Sequence, residues 1–99
     1  MFIVSLTYIK PLEEVDALLE EHVAYLKEQY ALGHFLASGR KVPRTGGVIL
    51  ARGASRDKIE TIITLDPFYR HSVAEYELIE FIPTMSVDEL EFMRESKYP

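Results

Sequence analysis

An α+β sandwich with the element order strand, helix, strand, strand, helix, strand is the fold class that this 99-residue chain predicts. Three observations carry it. Four segments rich in β-branched and aromatic residues are bounded by Pro or Gly, two segments between them repeat apolar residues at three- and four-residue spacing, and the length admits one core.

Phe2 to Ile9 reads as the first strand, closed by Lys10 and Pro11. Phe2, Val4, Leu6 and Tyr8 point one way and Ile3, Ser5, Thr7 and Ile9 the other, because strand side chains alternate. After Pro11, which suits a first helical turn, a long helix is expected to about Leu32, with Glu13, Glu14 and Asp16 near its positive end. Gly33 is its stop. Val15, Leu18, Leu19, His22, Leu26 and Tyr30 form its expected inward stripe, with His22 in the middle.

Phe35 to Val42 and Gly47 to Arg52 read as a hairpin turned by Pro43, Arg44, Thr45 and Gly46. Ser55 can cap a second helix running to about Leu65, with Ile59, Ile62 and Ile63 inward. Asp66 extends that stripe, and Pro67 is expected to end the helix. Val73 to Ile82 is the fourth strand, with Tyr76, Leu78 and Ile82 on one parity and Val73, Ile79 and Phe81 on the other. Ser86 and Glu89 have capping-box spacing, so a C-terminal helix is expected over about 86–95.

This order is that of a ferredoxin-like βαββαβ sandwich, in which both helices cover one sheet face. Four strands of about six residues leave the other face bare over roughly 380 Å². That is near the largest apolar patch a monomer normally exposes. Apolar residues on both parities of the first and fourth strands therefore predict a homodimer with facing sheets, a dimeric α+β barrel, and leave higher assembly open.

Composition narrows the function. Eleven Lys and Arg against sixteen Asp and Glu give a net charge of −5, which disfavours a nucleic-acid ligand. The absence of Cys removes disulfides, thiol nucleophiles and Cys-based metal sites. Apolar runs reach four residues, far short of the roughly 20 that cross a bilayer, and Met1 to Lys10 lacks signal-peptide features. The chain is expected to be cytoplasmic, without membrane partners.

His22 and Asp66 are the best-placed reactive pair. Imidazole titrates near physiological pH, and a buried carboxylate needs a cation or a donor beside it. With the two helices side by side, Asp66 could orient His22 as the carboxylate of a catalytic triad orients its histidine. Read as a plain core contact, the same pair is a structural bond. Residues 40 to 58 hold six basic side chains and one acid, and residues 75 to 95 hold seven acids and one base. Arg40 and Arg44, beside the Gly46–Gly47 turn, are candidates for binding a carboxylate or phenolate, or a partner's acids. His34 and His71 lie at element ends and are expected at the surface. The three His lack metal-site spacing, and no nucleotide-binding or serine-hydrolase motif is present.

His22 with Leu26, Gly33, Ser38–Gly39, Pro43–Arg44–Thr45–Gly46–Gly47 and Asp66–Pro67–Phe68 occur in an order that resembles the YCII-related (YciI-like) family, from the first strand to about Phe81. The resemblance implies a single domain over 1–99 with its core about 1–83, ferredoxin-like dimers, and His22 with Asp66 as the active-site pair. Many members carry Pro where this chain has Arg40, so the charge of the pocket is expected to differ. A few relatives are linked to dehydrochlorination of a hydroxylated aromatic, and similar folds include muconolactone isomerases and small monooxygenases.

The resulting expectation is a cofactor-free, metal-free enzyme of lyase or isomerase type. His22 would move a proton, Asp66 would orient it, and Ser38, Arg40 and Arg44 would hold a small anionic or phenolic molecule. The alternatives are a non-catalytic homodimer that binds a small molecule or a protein, and a cofactor-free oxygenase acting on phenols.

Overall fold

The computed structural model describes residues 1–95. Its elements are β1 (Phe2–Tyr8), α1 (Leu12–Ala17), α2 (Leu19–Ala31), β2 (Phe35–Arg40), β3 (Gly46–Ala51), α3 (Arg56–Thr64), α4 (Pro67–Arg70) and β4 (Ala74–Glu80), followed by a 3₁₀ turn over Asp88–Met93. The strands form one antiparallel sheet in the order β2-β3-β1-β4, the ferredoxin-like arrangement.

Strand register assigns the two faces, because directly paired residues point the same way. Phe2, Val4 and Leu6 pair with Ala51, Ile49 and Gly47 on one side and with Glu80, Leu78 and Tyr76 on the other. Phe2, Val4, Leu6, Ile49 and Ala51 are buried, and they join Val15, Tyr25, Ile59, Ile62, Ile63 and Phe68 in the core. The opposite face carries the row Leu50, Ile3, Ile79, with Val48 beside it, and no helix among the described residues covers it. A Cβ on Gly46 would lie 1.8 Å from the Leu6 carbonyl oxygen, so the start of β3 requires Gly.

The expected single helix is broken at Leu18. The Leu18 N–H bonds to the Val15 carbonyl at 3.0 Å, a tightened three-residue turn that re-phases the helix. The inward stripe becomes Val15, then His22, Tyr25 and Gln29, while Leu19 and Tyr30, expected inside, are 39% and 37% exposed. Gln29 tolerates burial because its Oε1 bonds His34 Nδ1 at 2.7 Å, so His34 is a half-buried structural partner. Gly33, at φ +80°, is the helix stop expected.

Two further expectations change. Asp66 and Pro67 do not finish the second helix, because α3 ends at Thr64 and Asp66 caps a new turn that begins at Pro67. Proline fits a first helical position, where its missing N–H is not needed. The expected C-terminal helix is only a 3₁₀ turn. Its capping box does not close, since Ser86 Oγ donates to the Val87 carbonyl and accepts from Arg94 Nε. Val87, Leu90 and Phe92 remain exposed, so no packed apolar face supports so short a helix. Among the described residues, no helix is long and apolar enough to cross a membrane.

Candidate active site

His22 comes from the inward face of α2 and Asp66 from the junction of α3 and α4, and the fold brings them into contact. His22 Nδ1 lies 2.7 Å from Asp66 Oδ1. The carboxylate is wholly buried, while the imidazole is 11% exposed at the edge of a cavity. Asp66 Oδ1 also accepts the Phe68 N–H at 3.0 Å, and Oδ2 accepts the Tyr76 hydroxyl at 2.5 Å. Three donors thus satisfy the charge that burial would otherwise penalise. Asp66, expected to extend the stripe of the second helix, instead precedes a new turn whose backbone N–H helps to hold the anion.

An ionised carboxylate only accepts, so Nδ1 carries the proton and Nε2 is the bare ring nitrogen. The ring stacks on Phe68 at 3.9 Å between centroids with 6° between planes, which fixes its orientation. Nε2 has no hydrogen-bond partner among the described residues and belongs to a ring that lines the cavity. That cavity is about 470 Å³, within the range of small-molecule sites. Leu19, Val23 and Leu26 of α2 form one wall, and the sheet supplies Leu6, Ile49 and Gly47.

Ser38, Arg40 and Arg44 all line this cavity with His22. Register explains the first two: Ser38 pairs with Ile49 and Arg40 with Gly47, on the helix-covered face. Ser38 Oγ is 2.5 Å from the Tyr30 hydroxyl. Arg44 reaches from the hairpin to Asp16 at the end of α1, with Nη2 2.5 Å from Oδ1, and its guanidinium lies over the Tyr8 ring at 5.9 Å. Part of the basic hairpin is therefore neutralised within the chain. Arg40 has no ion-pair partner among the described residues.

Sequence reading missed Tyr76 and Tyr8. Both fall on the helix-covered parity of their strands, and a phenol placed inward needs a partner for its hydroxyl, which was the available signal. Among the described residues, no cluster of three or more His, Asp or Glu is placed to hold a metal ion.

Burial first, and then the Asp66 charge, push the Tyr25 and Tyr76 phenols well above their ordinary value; the Asp66 hydrogen bond adds to this at Tyr76. Unfolded tyrosine ionises near pH 10. A raised folded value means that the unfolded chain loses these protons first, so stability is full below about pH 10 and falls above it. Alkaline ultraviolet titration should therefore show two phenols still protonated until the chain unfolds. Ionisation of all the tyrosines in a chain that stays folded would contradict this.

The sequence matches the YCII-related domain over residues 1–82. The chain belongs to the YCII-related family. The YCII match spans the whole sheet and both halves of the His22–Asp66 contact, and it ends before the 3₁₀ turn. A search of the curated proteins finds no match. Among solved structures, this YCII protein is similar to 5-chloro-2-hydroxyhydroquinone dehydrochlorinase from Burkholderia phenoliruptrix AC1100, in a complex with 2,5-dihydroxybenzoquinone. The TM-score is 0.69 at 17% identity, covering 84% of this chain and 95% of that one, a likeness of fold.

Proposed function

We propose that this protein is a small cofactor-free enzyme of lyase or isomerase type that acts on a phenolic or otherwise anionic small molecule. The observation that carries the reading is the imidazole itself. Nδ1 is pinned by a buried carboxylate, and Nε2 is left to a cavity with hydrophobic walls and arginines at its rim. His22 Nε2 takes a proton from a ring hydroxyl or an activated C–H. Asp66 stabilises the imidazolium that forms. The freed electron pair moves into the substrate. Isomerisation results when the imidazolium returns the proton to a different carbon. Elimination results when a leaving anion departs and the proton passes to solvent.

Arg40, which pairs with no carboxylate among the described residues, is the residue assigned to the substrate's negative charge, and Arg44 and Ser38 complete the rim. The solved neighbour's substrate is a chlorinated hydroxylated aromatic, which supports testing that class first. Chlorinated and unchlorinated hydroxyquinols and phenolates should be followed for chloride release and for ring-proton exchange by NMR. The reading predicts conversion that depends on His22. Ligands that bind in the cavity and are never converted would favour a binding module instead.

The reading also includes a second copy of the chain. The row Leu50, Ile3, Ile79, with Val48, leaves an apolar centre on the open face. Glu75 and Glu77 acidify its β4 margin, and Lys41 lies at the hairpin margin, where it reaches Thr7. A copy turned about an axis along the strands sets the acidic margin against the basic one. Light scattering should give the mass of two chains, and Val48→Asp should give one. A monomer at all concentrations would remove the second copy.

A further inference from the structure

We propose that Tyr76 is a positioning residue that tunes the His22 imidazole through Asp66; the inference rests on the acid–base reading above. The two oxygens of Asp66 have different work. Oδ1 is shared by His22 Nδ1 and the Phe68 N–H, whereas Oδ2 accepts only the Tyr76 hydroxyl among the described residues. Tyr76 stands on β4, with its ring edge-on to Tyr69 at 5.7 Å, so sheet and helical layer both hold the phenol in place.

A hydrogen bond to a carboxylate draws off part of its charge. With Oδ2 occupied, Asp66 orients the imidazole but attracts a second ring proton less strongly. The other groups facing His22 are Tyr25 on α2, whose ring lies 6.2 Å away, Tyr8 on β1, and Arg40 and Arg44 on β2 and the hairpin. The arginines oppose the imidazolium, Asp66 favours it, and Tyr76 moderates Asp66. Tyr25 is the internal control, because its hydroxyl donates to the Ile62 carbonyl at 2.8 Å and makes no bond to the carboxylate.

The test is an NMR titration of the His22 ring in the full chain without substrate. Tyr76→Phe should move the titration midpoint upward by about 0.5 to 1 pH unit, and Tyr25→Phe should leave it in place. A midpoint that is unmoved or lowered in Tyr76→Phe overturns the proposal, as does an equal rise in Tyr25→Phe. Should Tyr76→Phe not fold, 3-fluorotyrosine at position 76 supplies a stronger donor. It should lower the midpoint, and an unmoved midpoint again overturns the proposal. No turnover is involved, so failure here leaves the acid–base reading to its own test, and failure of that test leaves this shift measurable.

Discussion

His22→Gln should leave a folded protein whose turnover is reduced about 10²- to 10⁴-fold, the usual contribution of a general acid or base. His34 and His71 do not line the cavity, and the arginines there are too basic to accept a proton, so among the described residues no second imidazole or carboxylate replaces Nε2. Gln keeps much of the ring's volume and can still donate to Asp66 Oδ1. Its stability cost should be about 1 kcal/mol, close to one hydrogen bond. Because the cavity walls are unchanged, kcat should fall more than substrate affinity. Full activity in this variant on a converted substrate would end the assignment of His22 as the proton-moving group.

Asp66→Ala should give a large loss of stability. It strands three donors, the His22 Nδ1–H, the Phe68 N–H and the Tyr76 hydroxyl, around a site that is fully buried. An unsatisfied buried donor costs about 1–3 kcal/mol, so the three together should cost at least about 3–5 kcal/mol, a large share of the 5–15 kcal/mol that holds a domain together. For a chain of this size each kcal/mol moves Tm by about 4–8 °C, so thermal melting should fall by roughly 12–40 °C. A shift of only about 3 °C would show that the cluster does not anchor the α3–α4 junction. The burial asymmetry also decides how the structural and catalytic readings are separated. Asp66 is destabilising to replace under either one, so the discriminating variant is His22→Gln: a melting loss as large as that of Asp66→Ala would favour a structural bond.

The strand parities made the fold legible. Alternating apolar residues in β1, turn residues at Pro43 to Gly46 and the Ser55 cap are local signals, and the four strands and α3 appear within a few residues of their expected places. The candidate pair was legible for a similar reason, since an Asp on an apolar stripe demands a donor. The details that failed were set by tertiary packing. Leu18 is a good helix former, yet the turn tightens there and exchanges Leu19 and Tyr30 for Tyr25 and Gln29 on the inward face. Ser86 and Glu89 have capping spacing, yet Arg94 takes the serine hydroxyl and no core lies beneath the segment.

By itself the sequence determined the order of elements, one core without disulfides, and His22 and Asp66 as a candidate pair with Ser38, Arg40 and Arg44 as candidates beside them. These follow from periodicity and from the cost of burying charge, both of which are written along the chain. Only the tertiary structure decided that His22 Nδ1 meets Asp66 Oδ1, that a phenol from β4 holds the second oxygen, and that Arg44 is engaged by Asp16 while Arg40 has no ion-pair partner among the described residues. Those contacts join residues 10 to 44 positions apart, and their distances depend on how sheet and helices pack rather than on any local pattern.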